Sequence, residues 1–293
     1  LTSIEAKPYT PNTFSNLTSG SSGVITRNTT AGTSSGWVQT VDLWNSTPLS
    51  ANTQYAFEVQ SRNRLGVLAG TATASKYTLI EAPTALSVVT AMVSSATLSP
   101  QGSFSNLTSG SSGIRIMNTT LGYPYTTGWV QGTGSWTDSG LTANTVYAYE
   151  LKARNGDATE TAAQTANVTT PIQSPAGVTF GTTTLATIEA KPSGTFTNLS
   201  QGSSGVIVRN TSASTDSGWV TNADFWTSGG LATNTQYGFE VESRNRDGIS
   251  AGTSTGTAWT MIEAPTGLAV VSGSVTQTSV QLQVDGSFSN LTS

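Results

Sequence analysis

The chain has 293 residues, of which 35% are hydrophobic and only 10% charged, with a formal net charge of -4 at pH 7. It contains no cysteine and no histidine. This excludes disulfides, most transition-metal sites and every nucleophile system that needs a histidine. The few basic residues form no run suited to a phosphate backbone, so no nucleic acid partner is expected. No apolar stretch approaches the roughly 20 residues of a membrane span.

A unit of about 91 residues is repeated along the chain. A repeat at a fixed period is the sequence signature of a tandem array. The segment Phe-Ser/Thr-Asn-Leu begins at residues 14, 104, 196 and 288. Other segments recur only in every second unit: 1–8 matches 185–192, and 80–84 matches 262–266. The sequence therefore predicts four domains of two alternating types. They are 1–81, which lacks its first strand, 82–172, 173–263, and 264–293, which holds the first two strands of a fourth domain.

Strands are predicted in every unit, in the same order. The β-branched segments 24–27 and 206–209 are flanked by glycine or asparagine. Apolar and polar residues alternate in 55–62, 147–152 and 237–242, which is typical of a strand with one buried face. No segment has a convincing apolar period of 3.6 residues. This pattern predicts an all-β protein in which each unit is a β-sandwich.

The run from Leu49 to Gly66 resembles the fibronectin type III signature L-x-P-x-T-x-Y-x-φ-x-V-x-A-x-N-x-x-G, where φ is apolar, with Ala51 in place of the proline. Similar runs occupy 141–155 and 231–248. The resemblance implies a tandem array of fibronectin type III-like, immunoglobulin-like β-sandwiches. It also implies a structural tyrosine corner in each unit, in which the tyrosine hydroxyl binds nearby backbone. The corner residues would be Tyr55, Tyr147 and Tyr237.

Tryptophans occur in pairs seven residues apart, whereas the second strand lacks the core tryptophan that is usual in this family. We expect the first member of each pair, Trp37, Trp129 and Trp219, to fill that space in the core. The second members are candidate surface aromatics that could stack on sugar rings, with core packing as the alternative. They are Trp44, Trp136 and Trp226.

The loop 15–23 is repeated at 105–113 and, with small changes, at 197–205. It is either a contact between domains or chains, or a Gly/Ser turn retained from a recent duplication. Residues 154–157 lie where some fibronectin modules display Arg-Gly-Asp, but here they read Arg-Asn-Gly-Asp. A simple turn is expected there.

Nine asparagines lie in Asn-x-Ser/Thr sequons and are candidate glycosylation sites, or otherwise mark surface turns. They are Asn16, Asn28, Asn45, Asn106, Asn118, Asn167, Asn198, Asn210 and Asn290.

No catalytic, cofactor-binding or metal-ligating residues are predicted, and no enzyme activity is expected. Glu58, Glu150 and Glu240 recur at one strand position beside an arginine four residues along. General acid/base catalysis needs two carboxyl groups whose pKa values are driven apart, whereas repeated exposed ion pairs indicate a solvated strand face. No calcium-type Asp-x-Asp-x-Asp cluster is present.

The predicted function is a structural or adhesive segment of an extracellular surface protein, filament or sheath. Its expected partners are neighbouring repeats, other copies of the same protein in lateral or head-to-tail contact, and glycans. One alternative is an accessory region of a secreted polysaccharide-degrading enzyme, and a second is a carbohydrate-binding array. Because the first and last units are incomplete, we expect a window of a longer array, with head-to-tail strand exchange as the alternative.

Overall fold

The computed structural model describes residues 3–8 and 14–292 and is all-β, as predicted. The chain forms two compact units. One comprises Leu1–Thr90, Ala96–Asp138 and Tyr147–Val168, and the other Ala91–Ser95, Ser139–Val146 and Thr169–Ser293. The strands follow the order of the sequence repeats, while the domain boundaries given above remain a prediction.

The first repeat contains a two-stranded sheet and a four-stranded sheet. Its strands are β1 (Ile4–Ala6), β2 (Gly23–Asn28), β3 (Thr33–Ser34), β4 (Trp44–Ser46), β5 (Gln54–Arg62) and β6 (Leu68–Tyr77). The sheet orders are β1-β4 and β3-β2-β5-β6. Phe57 and Tyr55 on β5 form a small core with Leu49.

The second repeat contains two three-stranded sheets. Its strands are β7 (Ala85–Met92), β8 (Ser95–Gln101), β9 (Gly113–Asn118), β10 (Trp136–Ser139), β11 (Val146–Arg154) and β12 (Gln164–Thr169). The sheet orders are β10-β8-β7 and β12-β11-β9. Burial alternates at every residue of β11, so the predicted period of two produces one core face.

The third repeat shows the complete sandwich. Its strands are β13 (Gly177–Thr183), β14 (Ile188–Ser193), β15 (Gly205–Asn210), β16 (Thr215–Asp216), β17 (Trp226–Ser228), β18 (Gln236–Arg244) and β19 (Ser250–Trp259). The antiparallel sheets β13-β14-β17 and β16-β15-β18-β19 enclose a core to which both contribute, with Ile188 from one sheet and Phe239 and Val241 from the other. This is the immunoglobulin-like arrangement. Two further strands, β20 (Gly267–Val270) and β21 (Leu282–Asp285), pair with each other.

A groove of about 1030 Å³ lies beside β1 and β6 in the first repeat, and Ile4, Phe57 and Val59 are among the residues that line it. In the third repeat the corresponding face is covered by β13, because Val178 and Phe180 pack against the core cluster. The Phe180 ring meets that of Phe239 edge-on, with 5.4 Å between centroids. Within residues 3–8 and 14–81 no strand takes the place of β13.

A buried asparagine at the end of β2, β9 and β15 binds a different partner in the two repeat types. In the second repeat Asn118 Nδ2 donates to Asp138 Oδ2 (2.8 Å), and the Tyr149 hydroxyl donates to the same oxygen (2.9 Å). In the third repeat Asn210 Nδ2 donates to the Ser228 hydroxyl. Burial, and then Asp138, raise the pKa of Tyr149 above its ordinary value, so this hydroxyl stays a donor to the carboxylate.

Removing the Tyr149 hydroxyl is expected to destabilise the second repeat. In Tyr149→Phe the buried Asp138 loses one of its two side-chain donors, which should cost about 1–3 kcal/mol in unfolding free energy. The double variant Tyr149→Phe/Asp138→Ser reproduces the Phe and Ser of the other repeat type and should recover part of that loss. Denaturant titration measures both, and a double variant no more stable than Tyr149→Phe would contradict this account.

Candidate functional site

The predicted corner tyrosines lie on the strands that the fibronectin type III signature implies. The Ser50 backbone N–H donates to the Tyr55 hydroxyl (2.9 Å), and the Ala232 N–H donates to that of Tyr237 (2.7 Å). Tyr55 and Tyr147 are buried, whereas Tyr237 is half-buried. The hydroxyls of Tyr55 and Tyr237 thus hold the turn that precedes β5 or β18.

Replacing Tyr237 by phenylalanine is expected to cost the third repeat about 1 kcal/mol, because one hydrogen bond is lost while the ring stays in place. The unfolding midpoint of that repeat in denaturant measures the effect. A midpoint equal to that of the wild type would show that the hydroxyl bond adds nothing to stability.

The first tryptophan of each pair does not fill the core, and this part of the sequence prediction is wrong. Trp37 lies under the Arg62 guanidinium, 4.3 Å from its ring centroid, and Trp219 lies under Arg244 at 4.1 Å. In the second repeat Trp129 has an arginine at 4.5 Å. These arginines alternate with the core residues along their strands, so the tryptophans lie on the outward face and form cation–π contacts there.

The second tryptophan of each pair, a candidate surface aromatic, packs against the core, which is the alternative that the sequence left open. Trp44 contacts the core of the first repeat and Trp226 that of the third. Trp136 meets Tyr149 edge-on at 6.2 Å. Each begins a strand, two residues before a buried Ser or Asp, and the period of two turns both side chains inward.

The repeated glutamates form cross-strand ion pairs. Glu58 binds Arg27 (2.7 Å), and Glu240 binds Arg209 (2.9 Å). Glu150 pairs with Arg115 at 3.0 Å. The arginines four residues along, which the sequence placed beside them, instead cover the tryptophans. Arg209 also binds a second carboxyl group, that of Glu242 (2.8 Å), so in the third repeat one guanidinium neutralises two glutamates. These carboxyl groups are held in ion pairs on the outward face of the strand.

A reciprocal pair of asparagines joins the first and second repeats, and we call this pair the asparagine clasp. Asn52, fully buried just before β5, donates from Nδ2 to the backbone oxygens of Ser105 (2.9 Å) and Asn106 (2.8 Å). In return, Asn106 Nδ2 donates to the Thr53 hydroxyl (2.9 Å). Both have φ near +50° (45° and 49°), a left-handed conformation that asparagine tolerates better than most residues.

Asn52 is also an acceptor within the clasp. Its Oδ1 receives the Ser112 hydroxyl (3.0 Å) and the Gly156 backbone N–H (3.0 Å). Both polar atoms of the buried amide are therefore satisfied, as a buried side chain requires. The repeated loop 105–113 is thus a contact between repeats and more than a retained turn.

The second unit repeats this geometry. Asn144 is fully buried and donates to the backbone oxygen of Asn198 (2.8 Å) and to the Ser204 hydroxyl (2.7 Å). Its Oδ1 receives the Arg246 N–H (2.7 Å), and Asn198 donates back to the Thr145 hydroxyl (3.0 Å). A third copy joins Asn234 to the backbone oxygen of Asn290 (2.9 Å) and Asn290 to the Thr235 hydroxyl (3.0 Å).

A residue at each predicted domain boundary, Glu81 or Gln173, binds the same loop. Both oxygens of Glu81 accept from Ser105, one from its N–H (2.9 Å) and one from its hydroxyl (2.5 Å). Burial opposes ionisation of Glu81, but the hydrogen bonds from Ser105 outweigh it and hold its pKa below the usual value. Gln173 instead accepts from the Thr197 N–H (3.0 Å) and donates to its hydroxyl (2.9 Å).

The turn after β11 also contacts the preceding repeat. Asn155 is fully buried, and its Nδ2 donates to the backbone oxygen of Thr78 (3.0 Å). Asp157 Oδ2 accepts from the Tyr77 N–H (2.9 Å) and faces Lys76 Nζ (3.1 Å). Residues 154–157 are therefore a turn, as expected, and they are also part of the junction between repeats.

Sequence reasoning missed the asparagine on the donor side of the clasp. Asn52, Asn144 and Asn234 stand three residues before the corner tyrosine in every complete copy. That recurrence is visible in the sequence, but nothing within a single repeat indicates that the amide is buried. Only the facing loop of the next repeat supplies its partners.

The nine sequons occupy three environments. Asn28, Asn118 and Asn210 are fully buried, with Nδ2 bonded inside their own repeat, which disfavours a glycan in the folded state. Those in the clasp use Nδ2 to bind the preceding repeat, and they are Asn106, Asn198 and Asn290. Asn16, Asn45 and Asn167 are exposed.

Secretion from a host that carries out N-glycosylation is expected to give glycans at Asn45 and Asn167 and none at Asn118. A glycan on Asn118 would replace an amide hydrogen of the buried bond to Asp138 and has no path to solvent. Site-resolved mass spectrometry of the folded protein measures the occupancy. High occupancy at Asn118, with the second repeat still folded, would contradict the buried network.

Within residues 3–8 and 14–292 there is no group of three or more acidic, cysteine or histidine residues placed to hold a metal ion. The same residues include no helix with the length and hydropathy needed to cross a membrane.

No family model and no curated protein matches the chain. Among solved structures, a two-domain fibronectin type III segment of chicken tenascin is similar, with a TM-score of 0.46 and 17% identity over 61% of this chain and 100% of that chain. The FN1–FN3 domains of chicken CNTN1 are similar with a TM-score of 0.30 and 13% identity over 89% of this chain and 94% of that one. The sheet orders and the shared core of the third repeat define the class of fold, an all-β chain with immunoglobulin-like β-sandwich repeats.

Proposed function

We propose that the chain is a non-enzymatic structural or adhesive repeat segment of an extracellular surface protein, filament or sheath. In this role, clasps hold each repeat against the next, so that a row of sandwiches transmits position and load. The recurrence of the asparagine clasp carries the proposal, because the same reciprocal bonds form at every described junction.

The burial of the clasp supports this role. Domains on flexible linkers move independently unless their interface holds them. Asn52 and Asn144 are fully buried, with both amide atoms bonded across a junction. Opening either junction would leave several buried donors and acceptors without partners until water replaced them, and each such loss costs about 1–3 kcal/mol. A low charged fraction and the absence of cysteine are compatible with an extracellular location.

Amide ¹⁵N relaxation of the full chain tests whether the clasps unite neighbouring repeats. In the wild type, adjacent repeats should share one rotational correlation time. In Asn52→Ala/Asn144→Ala the repeats should tumble separately, with shorter correlation times, while their strand amides remain protected. Asn45→Ala/Asn167→Ala removes two exposed asparagines and serves as the matched control. Independent tumbling of the wild-type repeats would contradict the proposed function.

A further inference from the structure

The junction between the first and second repeats and the junction between the second and third repeats have different side chains at equivalent positions. In the first repeat Tyr77 precedes the buried Thr78, whose N–H donates to the backbone oxygen of Thr53, the residue after Asn52. In the second repeat Thr169 precedes the buried Thr170, whose N–H donates in the same way to Thr145, the residue after Asn144. Tyr77 and Thr169 therefore hold equivalent positions. On the receiving side, Gly156 and Arg246 are equivalent because the N–H of each donates to Oδ1 of that asparagine. An aromatic residue therefore meets a turn with glycine, and a small residue belongs to the junction whose turn carries arginine.

The Tyr77 ring occupies the space where a side chain at position 156 would begin. A Cβ built on Gly156 would lie 2.4 Å from Tyr77 Cε1, and contacts under 3.0 Å essentially never occur for real Cβ atoms. Gly156 is absent from the residues with positive φ, so its backbone does not require glycine. A side chain at position 156 would therefore require the Tyr77 ring to move.

A charge contact accompanies the size match at this junction. Lys76 Nζ lies 3.1 Å from Asp157 Oδ2, and the Tyr77 N–H donates to the same carboxylate oxygen. In the second repeat Val168 takes the position of Lys76 and is buried in its own core. In the third repeat Ala258 takes the position of Lys76, whereas Trp259 takes that of Tyr77. The aromatic ring is therefore the feature that the ends of the first and third repeats share.

We propose that the Tyr77–Gly156 pair determines which repeat can stack on which. A repeat whose last strand ends in an aromatic residue at the position of Tyr77 can stack only on a repeat with glycine at the position of Gly156. A repeat with arginine at that position, as at Arg246, requires a small residue such as Thr169 in the preceding repeat. Tandem repeats are prone to docking and strand exchange with the wrong neighbour, and a size-matched pair disfavours that outcome. This inference rests on the proposed function, since it concerns the specificity of the stacking contact.

Amide hydrogen exchange at position 156 of the full chain tests the pair, because this N–H binds Asn52 across the junction. Gly156→Arg introduces the residue of the other turn type and should lower the protection factor there about tenfold or more. Tyr77→Thr/Gly156→Arg recreates the threonine and arginine combination and should restore most of that protection. Equal protection in Gly156→Arg and wild type, or a double variant no better than Gly156→Arg, would overturn the proposal.

Two controls separate the pairing from other effects. Gly132→Arg adds the same side chain at an exposed glycine with open space around it, and it should leave exchange at position 156 unchanged; a similar loss of protection there would count against the pairing. The core amides of Ile114 and Leu151 report whether the second repeat remains folded. If Gly156→Arg prevents folding, Gly156→Ala replaces it, since its single methyl group meets the same ring and should still reduce protection; unreduced protection would overturn the proposal.

The wild-type result distinguishes the two proposals. An unprotected amide at position 156 in the wild type would contradict the clasp and the proposed function with it. A protected wild type that does not respond to Gly156→Arg would contradict the pairing alone.

Discussion

Replacement of Trp226 by alanine is expected to destabilise the third repeat by about 3–5 kcal/mol, because a large ring is removed from the edge of the core. The ring packs against the cluster that contains Phe239 and Ile188, and the rigid sheets on either side cannot close the space. Denaturant unfolding monitored on the third repeat measures the loss.

The matched control is Trp219→Ala, which removes the other tryptophan of the pair. Its ring lies under the Arg244 guanidinium, which is 4.1 Å from the ring centroid, and a cation–π contact of this kind contributes about 0.5–2 kcal/mol. A loss in Trp219→Ala as large as that in Trp226→Ala would mean that the core extends to the outward face.

Replacement of Asn144 by alanine is expected to reduce the unfolding free energy of the third repeat by about 3 kcal/mol. Its amide bonds to the backbone oxygen of Asn198, the Ser204 hydroxyl and the Arg246 N–H, and the truncation leaves these groups without that partner in a buried site. Thermal and denaturant unfolding measure the change.

Asn144→Asp separates hydrogen bonding from packing, because the carboxylate keeps the shape of the amide but cannot donate. It faces the oxygens of Thr197 and Asn198, so it should be at least as destabilising as alanine above the pKa of the new carboxyl group. The exposed Asn167→Ala is the surface control and should change stability by less than about 0.5 kcal/mol. An Asn144→Asp variant as stable as the wild type would show that the hydrogen bonds donated by Asn144 do not stabilise the third repeat.

The second strand of the sandwich shows where sequence reasoning was limited. It lacks the tryptophan that is usual in this family, and the sequence favours Trp219 as the replacement, whereas in the structure it is Trp226 that packs against the core. Both follow turn residues and both are half-buried, so neither composition nor spacing separates them. Trp226 faces the core because β17 pairs with β14, with Trp226 opposite Ala190, and pairing over a long sequence distance is not encoded locally.

The sequence by itself determined the all-β class, the repeat of about 91 residues, the two alternating types and the position of the corner tyrosines. Each depends on periodicity or on residues a few positions apart, where local backbone preference and strand alternation decide. Only the tertiary structure showed that Asn52 is buried and binds Asn106, and that the Tyr77 ring fills the space left by Gly156. Those contacts join residues more than fifty positions apart, and their energy comes from the desolvation of groups whose partners are supplied by the next repeat.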